Sequence, residues 1–327
     1  MSDTKRWIAR EATRVGELLA QMKLARDEAR AAIDGGRVFV GRRRARTIED
    51  AVGAGEEVLL HTERASVTLP TPFVLHHARG VLAVDKPAGM PTIADLQGAA
   101  GSLVDVAARA IGVSASALQV TSRLDRDVSG AVLFALDHEA AEAIAVAREQ
   151  GRYLRRYVAI AVGALPADRG RWSWAIARDR DPMRRCAVEE GDPTAKAAAS
   201  RFLVVRRARL RDLDFALLAL APETGRTHQL RVHAARAGAP LLGDGAYGGA
   251  RRVVSANGTV RTLERIALHC AAVEVARGRT AVPEGSVNCN VSVRSPVPRE
   301  LRELASFVGL VRADDDDAFE EAIRCDV

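Results

Sequence analysis

Short apolar runs bounded by turn residues dominate the middle of the chain. Runs such as GVLAVD, YLRRYVAIAVG, SRFLVV, FALLAL and RIALHCAAVEV have the length and the branched or aromatic content of strands. The first run stops at Lys86-Pro87-Ala88-Gly89, where proline presets the backbone angle and glycine gives freedom for a turn. We therefore predict a sheet-forming domain that follows a linker over residues 61–80.

Helices are predicted between these strands. The segment SLVDVAARAIG is one, and a strand over residues 131–136 leads into another helix from about Asp137 to Gln150. Asp137 is the candidate N-cap and Gly151 the terminator. The segment TGRTHQLRVHAARAG begins in a turn and continues as a helix. This mixed order of elements indicates an α+β fold rather than regular βαβ repetition.

The first sixty residues are predicted to form a compact module. We predict an amphipathic helix, a second helix that ends at Gly35-Gly36, a short strand, a basic turn and a closing strand that ends at Leu60. The segment that shows this pattern is VGELLAQMKLARDEARAAIDGGRVFVGRRRARTIEDAVGAGEEVLL. We set the module at residues 1–65, the larger domain at 66–305, and an acidic C-terminal tail at 306–327. The tail contains ADDDDAFEEA and is expected to be solvated and mobile.

Composition and charge favour a globular protein with a polyanionic partner. The 327 residues are 48% hydrophobic and 28% charged, and their net charge is +6. Basic residues crowd the first fifth of the chain, and these are the candidates for contact with a polyanion: Arg14, Arg26, Arg30, Arg37, Arg42, Arg43 and Arg44.

Several classes of protein and site are disfavoured by the sequence. No apolar run approaches the roughly 20 residues of a membrane span, and the start of the chain has no secretory signal, so we expect a cytoplasmic protein. The four cysteines are scattered and read as reduced thiols. His228 and His233 are five positions apart and have no cysteine nearby, so zinc is not expected. A P-loop is absent.

The segment TSRLDRDVSG, residues 121–130, carries more charge than its surroundings explain. Arg123, Asp125, Arg126 and Asp127 stand directly before the apolar run 131–136. A strand that buries one side seldom carries four such charges without a task, although a solvated surface turn would also account for them.

Three long motifs resemble the RluA-type pseudouridine synthase family, whose members isomerise selected uridines in ribosomal or transfer RNA. The motifs are SRLDRDVSG (122–130), RRYVAIAVG (155–163) and TGRTHQLRVHAARAGAPLLGDGAYG (224–248). The likeness includes VDKPAGM and ALHC, so it covers roughly residues 75–275. In the N-terminal module, Gly41-Arg42 stands where the pattern of ribosomal small-subunit protein S4 has Asn-Gly, but the module resembles that protein's RNA-binding module at five positions: Arg26, Ile33, Gly36, Val38 and Val40. Together they imply an α+β pseudouridine synthase fold, with a mixed, largely antiparallel central sheet flanked by helices, plus a small N-terminal α/β RNA-binding module.

The resemblance also implies the roles of particular residues. It places the catalytic aspartate on Asp125, the active-site tyrosine on Tyr157 and the motif arginine, expected to pair with the aspartate, on Arg231. Substrate contacts are expected from Arg123, Arg126, Arg226, His228 and Leu268. The family usually has histidine where this chain has Ser122.

These residue types suit the reaction without a cofactor. Pseudouridylation breaks the bond between ribose and base nitrogen and rejoins the ribose to base carbon 5, with no net oxidation. It needs an ionised carboxylate, as a nucleophile at the glycosidic carbon or as a base at the neighbouring carbon. Tyr157 offers an aromatic face to a flipped-out uridine, but a phenol with a pKa near 10 is a poor base. We expect no metal, no nucleotide cofactor and a monomer that acts on ribosomal or transfer RNA.

Other readings remain open from the sequence. A serine hydrolase is disfavoured because Asp127-Val128-Ser129-Gly130 lacks the first glycine of a G-x-S-x-G elbow. A non-catalytic RNA-binding protein on the same fold is the main alternative, and Ser122 is the feature that encourages it. Asp125 with Arg231 would also fit a structural ion pair, Tyr157 a core tyrosine, and the N-terminal module a basic cap without a ligand.

Overall fold

A computed structural model gives the fold of the chain. It describes residues 4–34, 38–41, 43–45, 47–61, 73–93, 101–189, 192–276, 290–312 and 317–325. The chain divides into two compact units. The N-terminal unit comprises Met1–Thr71 and Ile93–Val106, and the sheet unit comprises Pro72–Thr92 and Ala107–Val327. The predicted boundary at residue 65 lies outside the described residues, so it stays a prediction.

The N-terminal unit contains the two predicted helices and the predicted hairpin strands. Its elements are β1 (Thr4–Ile8), β2 (Thr13–Arg14), α1 (Val15–Gln21), α2 (Arg26–Asp34), β3 (Val38–Val40), β4 (Arg43–Arg44), β5 (Ala51–Val52) and β6 (Glu57–His61). Leu18 and Leu19 of α1 pack with Val38, Val58 and Leu60 in one apolar core. The sequence did not predict β1, which pairs antiparallel with β6. Two of its five residues are cations, so it lacks the apolar pattern of a buried strand.

The remaining elements follow in chain order. They are β7 (Phe73–Ala78), β8 (Val81–Lys86), α3 (Leu103–Ile111), β9 (Gln119–Val120), β10 (Ser129–Ala135), α4 (His138–Glu149), β11 (Tyr153–Val162), β12 (Arg169–Trp172), β13 (Ala175–Arg178), β14 (Arg185–Val188), β15 (Ser200–Leu210), β16 (Leu213–Pro222), α5 (Gln229–Arg236), β17 (Arg252–Val254), β18 (Val260–Thr262), β19 (Leu268–Val275), β20 (Val291–Arg294), α6 (Arg299–Phe307) and α7 (Asp317–Arg324). Short 3-10 helices occupy Ala115–Ala117 and Gly245–Tyr247.

A mixed sheet organises the sheet unit, and this confirms the predicted fold class. Its main path is β12-β15-β16-β11-β19-β10-β8-β7, with β20 paired to β19 and β9 to β10. The pairing of β10 with β19 is parallel, whereas those of β10 with β8 and of β11 with β16 and β19 are antiparallel. Every residue of β10 is buried, as expected of a central strand that is covered on both faces.

A glycine lets the charged segment 121–128 join the centre of this sheet. Gly130 has φ +119°, a conformation that residues with a Cβ rarely adopt. A Cβ at this position would lie 2.3 Å from the carbonyl oxygen of Cys270, its partner in β19. Only glycine therefore permits the close parallel pairing of β10 with β19 directly after the charged segment.

Helix α4 follows β10 as the sequence predicts. The carboxylate of Asp137 accepts a hydrogen bond from the backbone N–H of Ala140 at 2.8 Å and caps the helix. Buried side chains of α4 include Ala140, Ile144 and Ala147, which form its apolar stripe. Gly151 follows with φ +68°, the left-handed conformation that ends many helices.

The expectation of a solvated C-terminus is wrong for residues 317–324. This segment forms α7, and its apolar side chains join the core of the sheet unit instead of facing water. Phe319 is 2% exposed and Ile323 5%, and they share that core with Ile160 and Phe215 of the sheet. The acidic run hid an amphipathic pattern, because within α7 the charged residues lie on the face opposite to the buried Ala318, Phe319, Ala322 and Ile323.

Candidate active site

The segment that contains Asp125 is anchored before β10 by backbone and side-chain hydrogen bonds. The Thr92 hydroxyl donates to the carbonyl of Leu124 at 2.8 Å and accepts the N–H of Leu124 at 3.1 Å. The N–H of Val128 donates to the carbonyl of Asp125 at 3.1 Å and closes a tight turn. These bonds hold the Asp125 backbone in place directly before the central strand β10.

A buried lysine clamps the far side of the same turn. Lys86 is fully buried, and its Nζ donates to the carbonyls of Pro87 at 2.9 Å, Met90 at 2.6 Å and Arg126 at 2.9 Å. The N–H of Gly89 donates to the carbonyl of Arg126 as well. Burial lowers the pKa of Lys86 to about 7, and the charge of Arg265 adds to this effect. The ammonium form has the three hydrogens that match the three carbonyls.

Arg231 joins two carboxylates from different parts of the chain. It lies on α5 with only 9% of its side chain exposed, and its Nη1 donates to Oδ2 of Asp125 at 3.0 Å. Nε and Nη2 donate to the two carboxylate oxygens of Asp244 at 2.7 and 2.9 Å. Burial opposes the charge of Arg231, but the hydrogen bonds of Asp244 and the charge of Asp125 outweigh burial and raise its pKa. The predicted Asp125–Arg231 pair is therefore present.

The turn before α5 brings a histidine to the same carboxylate. The side chain of Gln229, 4% exposed, accepts the N–H of Arg226 and the hydroxyl of Thr224, and so ties the turn together. His228 takes the left-handed conformation with φ +59°. Its Nε2 lies 3.9 Å from Oδ2 of Asp125, and its Nδ1 is 2.7 Å from the hydroxyl of Tyr247.

Tyr157 lies on β11 at a bulge. The register between β11 and β19 shifts between Arg156 and Tyr157, a distortion that often redirects side chains beside active sites. Tyr157 is 5% exposed, and its ionisable neighbours are Cys270, Arg155 and Tyr153. Burial raises the pKa of Tyr157 well above its usual value. This shift is opposite to the one that a general base would need.

The other predicted substrate contacts differ in their surroundings. Arg123 and Arg126 are exposed in the segment of Asp125. The exposed Arg226 donates through Nε to the carbonyl of Ala197 at 2.9 Å. Leu268 is 3% exposed at the start of β19. Their contacts with RNA remain predictions.

Ser122, the departure from the family pattern, has a partner in the structure. Its Oγ accepts a hydrogen bond from the hydroxyl of Tyr153 at 2.9 Å. Arg148 donates to the carbonyl of Thr121, and its guanidinium lies 4.8 Å from the centre of the Tyr153 ring. The start of β11 and the end of α4 thus hold the approach to Asp125.

Three residues of this site were missed as functional candidates: Lys86, Asp244 and Tyr247. All three lie in motifs that carried the family resemblance, VDKPAGM for Lys86 and GDGAYG for the other two. An acid and a tyrosine between glycines are a weak pattern by themselves, but a run of such turn residues near a predicted active-site helix could have drawn attention to them.

The basic residues of the N-terminal unit are only partly described. Arg14 forms an ion pair with Glu49, and Arg26 and Arg30 are exposed on α2. Arg43 and Arg44 form β4, while Arg37 and Arg42 lie outside the described residues.

Neither a metal site nor a membrane span emerges from the described ranges. No group of three or more His, Cys, Asp or Glu side chains within them could hold a metal ion. No helix among these residues is long and apolar enough to cross a membrane.

The Asp125–Arg231 pair lies beside the central strand β10 of a mixed sheet, and the comparisons with known proteins identify the class of enzyme. The family model described as RNA pseudouridylate synthase matches residues 80–236. This chain is 36% identical over 212 residues to the uncharacterised RNA pseudouridine synthase YhcT of Bacillus subtilis. The alignment covers 62% of this chain and 68% of that protein. The ribosomal large subunit pseudouridine synthase D of Xanthomonas campestris is 32% identical over 271 residues, 79% of this chain and 77% of that protein.

A solved structure shows the same fold. Human RNA Pseudouridylate Synthase Domain Containing 1 aligns with a TM-score of 0.56 at 24% identity, over 81% of this chain and 98% of that chain. The chain belongs to the RNA pseudouridine synthase family and is an RNA pseudouridine synthase. The enzyme is thereby favoured over the non-catalytic alternative.

Proposed function

We propose that the protein converts uridine to pseudouridine in ribosomal or transfer RNA and that Asp125 acts on the ribose of a flipped-out uridine. The observation that carries this proposal is the pairing of Asp125 with the buried Arg231. A guanidinium at 3.0 Å compensates the carboxylate charge where a substrate would exclude water.

The carboxylate has one oxygen available for chemistry. Among the described residues, the polar contacts of the Asp125 carboxylate are all made through Oδ2, to Arg231 and His228. Oδ1 is left to meet the sugar, and 27% of the side chain is exposed. It acts there as a nucleophile at C1′ or as a base at C2′, and both roles need an ionised oxygen aimed at the ribose.

The uridine must leave its stack to reach Asp125. Flipping costs a few kcal/mol in paired RNA and less in loops. The exposed Arg123 and Arg126 flank Asp125 in sequence and are suited to hold phosphates on either side of the target. Tyr157 offers an aromatic surface to the nucleobase of the flipped-out uridine. It does not serve as a proton acceptor, because burial raises the pKa of Tyr157.

Ribosomal RNA is the first substrate to test. Relatives from Xylella fastidiosa, Xanthomonas campestris and Pseudomonas aeruginosa carry the name ribosomal large subunit pseudouridine synthase D. Pseudouridines in total RNA should be mapped in strains with and without this gene. We expect specific uridines to lose modification when the gene is deleted, and an unchanged map in both ribosomal and transfer RNA would contradict the proposed substrate class.

The purified protein should work without added metal, nucleotide or redox cofactor. The reaction is an isomerisation, and the Asp125–Arg231 pair supplies the charged groups that it needs. Release of tritium from uridine labelled at carbon 5 measures turnover, and we expect the same rate with and without a metal chelator. A strict requirement for metal or nucleotide would contradict the proposed chemistry.

The N-terminal unit is proposed to bind RNA phosphates, with a boundary near residue 65. We expect Arg26→Gln/Arg30→Gln to weaken RNA binding and to flatten the slope of log affinity against log salt by roughly 0.7 to 0.9 per lost contact, with little change in kcat. Both arginines are exposed on α2.

A control variant separates phosphate contact from net charge. Arg299→Gln/Arg324→Gln removes the same charge from α6 and α7, where these arginines pair with Glu303 and Glu320. Equal salt slopes for the two double variants would mean that the N-terminal unit is a cap without RNA contacts.

A further inference from the structure

Tyr247 is a buried tyrosine whose hydroxyl connects two separate elements. It ends the 3-10 helix Gly245–Tyr247 and is 9% exposed. The backbone N–H of Arg185, the first residue of β14, donates to the hydroxyl oxygen at 2.9 Å. The same hydroxyl lies 2.7 Å from Nδ1 of His228. One side chain thus links the β13–β14 hairpin to the histidine beside Asp125.

These two contacts favour one tautomer of neutral His228. A backbone N–H can only donate, so the oxygen of Tyr247 is an acceptor toward Arg185. Among the described residues, Nδ1 of His228 is the acceptor that the hydroxyl hydrogen of Tyr247 can reach, at 2.7 Å, so both groups are satisfied when Nδ1 accepts that hydrogen. Neutral His228 therefore has its hydrogen on Nε2. That atom is the one that lies 3.9 Å from Oδ2 of Asp125.

The charges around His228 support the neutral ring. Burial lowers the pKa of His228. Four charged groups in the described ranges face His228. The carboxylates of Asp125 and Asp244 oppose the lowering of its pKa, whereas the guanidinium groups of Arg231 and Arg185 add to it. A doubly protonated ring would also have to displace the hydrogen that Tyr247 donates.

The ring of Tyr247 contacts the second partner of Asp125. The guanidinium carbon of Arg231 lies 4.9 Å from the ring centre, and that of Arg184 lies 5.4 Å from it. Both distances suit cation–π attraction. Tyr247 therefore contacts Arg231 through its ring and His228 through its hydroxyl, which are the two side chains that approach Oδ2 of Asp125.

We propose that Tyr247 is a positioning residue for the pseudouridine synthase reaction, because its hydroxyl fixes His228 as the tautomer whose Nε2–H faces Asp125. This inference rests on the proposed role of Asp125. A neutral His228 polarises Oδ2 of Asp125 without capturing the carboxylate as a full ion pair. A protonated His228 would bind Asp125 more tightly and compete with the ribose.

Tyr247→Phe tests the hydroxyl and keeps the ring. We expect kcat to fall about three- to tenfold at pH 7, with KM for RNA changed less than twofold, since one positioned hydrogen bond is lost. Without the donor at Nδ1, His228 takes up a proton more easily, so the acidic limb of the kcat profile should move to higher pH. The deficit should be smallest near pH 8.5 and largest near pH 6. The assay is tritium release from transcripts of ribosomal RNA that the wild-type enzyme modifies.

Two further variants separate this role from simple packing. Tyr153→Phe also removes a tyrosine hydroxyl bond, to Ser122, but does not touch His228, so its acidic limb should coincide with that of the wild type. In Tyr247→Phe/His228→Gln, the amide keeps a donor near Asp125 but cannot take up a proton in this range. The pH-dependent part of the deficit should therefore disappear in the double variant.

Two results for the Tyr247 variants would overturn the proposal. A Tyr247→Phe deficit that is constant from pH 6 to 8.5, at an unchanged melting temperature, would show that Tyr247 only supports packing and would overturn the inference. The inference would also be overturned if the loss of kcat in the double variant Tyr247→Phe/His228→Gln still depended on pH. Substantial turnover by Asp125→Asn would remove the proposed function itself, whereas an inactive Asp125→Asn beside a pH-independent Tyr247→Phe would reject the inference alone.

Discussion

Asp125→Asn is expected to lower turnover by at least about a thousandfold while RNA affinity stays equal or rises slightly. In the wild type, Arg231 donates to Oδ2 of Asp125 at 3.0 Å. Asparagine keeps the shape of aspartate and can still accept this hydrogen bond. It can neither attack the ribose nor serve as an effective base, so the chemical step is lost. Binding survives because removal of a negative charge reduces repulsion of phosphates.

Single-turnover rates and RNA affinity at two salt concentrations measure this prediction. Asp127→Asn is the matched control, because it makes the same change two positions away on an exposed residue of the same segment. It should retain most of the turnover. An Asp125→Asn protein that forms pseudouridine at a rate close to that of Asp127→Asn would reject the proposed mechanism.

Arg231→Ala is expected to damage activity and folding stability together. The change leaves Asp125 without its guanidinium and strands Asp244, whose side chain is 1% exposed. Removal of one partner from a buried ion pair typically costs about 3 to 5 kcal/mol, because the remaining charge keeps its desolvation penalty. We expect the free energy of unfolding to fall by about this amount and kcat to fall with it.

Arg236→Ala provides the comparison on the same helix. Arg236 pairs with Glu189 at 2.6 Å, but both side chains are more than half exposed, and exposed pairs contribute about 0 to 1 kcal/mol. Denaturant unfolding and turnover should be measured for both variants. A loss of stability no larger for Arg231→Ala than for Arg236→Ala would show that the Asp125–Arg231–Asp244 contact is not the stabilising core of the site.

Local patterns predicted the strands β8, β10, β11, β15, β16 and β19 and the helices α3, α4 and α5, but not β7, which lies inside the predicted linker 61–80. The helix capped by Asp137 and ended by Gly151 is present as His138–Glu149, since capping and termination depend on neighbouring residues. The strands at 153–162 and 200–222 were visible as apolar runs for the same reason. The motifs at 122–130, 155–163 and 224–248 together were sufficient to suggest an RNA pseudouridine synthase, because they are long and specific.

Contacts between distant residues required the tertiary structure. Asp125 and Arg231 are 106 positions apart, so spacing could not establish their contact, and the share of Asp244 in it was not foreseen. The sequence predicted Lys86 only as the end of a strand. In the structure its amine donates to the carbonyl of Arg126, which is 40 positions away in the chain. Burial of α7 was equally hidden, because the residues that cover its apolar face lie elsewhere in the chain.

The sequence by itself determined the family, six strands of the central sheet with three helices around them, and the residue types of the chemistry. The tertiary structure decided which charges meet, which tyrosine contacts the partners of Asp125, and which face of the acidic C-terminal segment is buried. The physical reason is that helix caps, turns and apolar periodicity act over a few residues. Charge pairing and burial instead depend on the register of strands that are far apart in the chain.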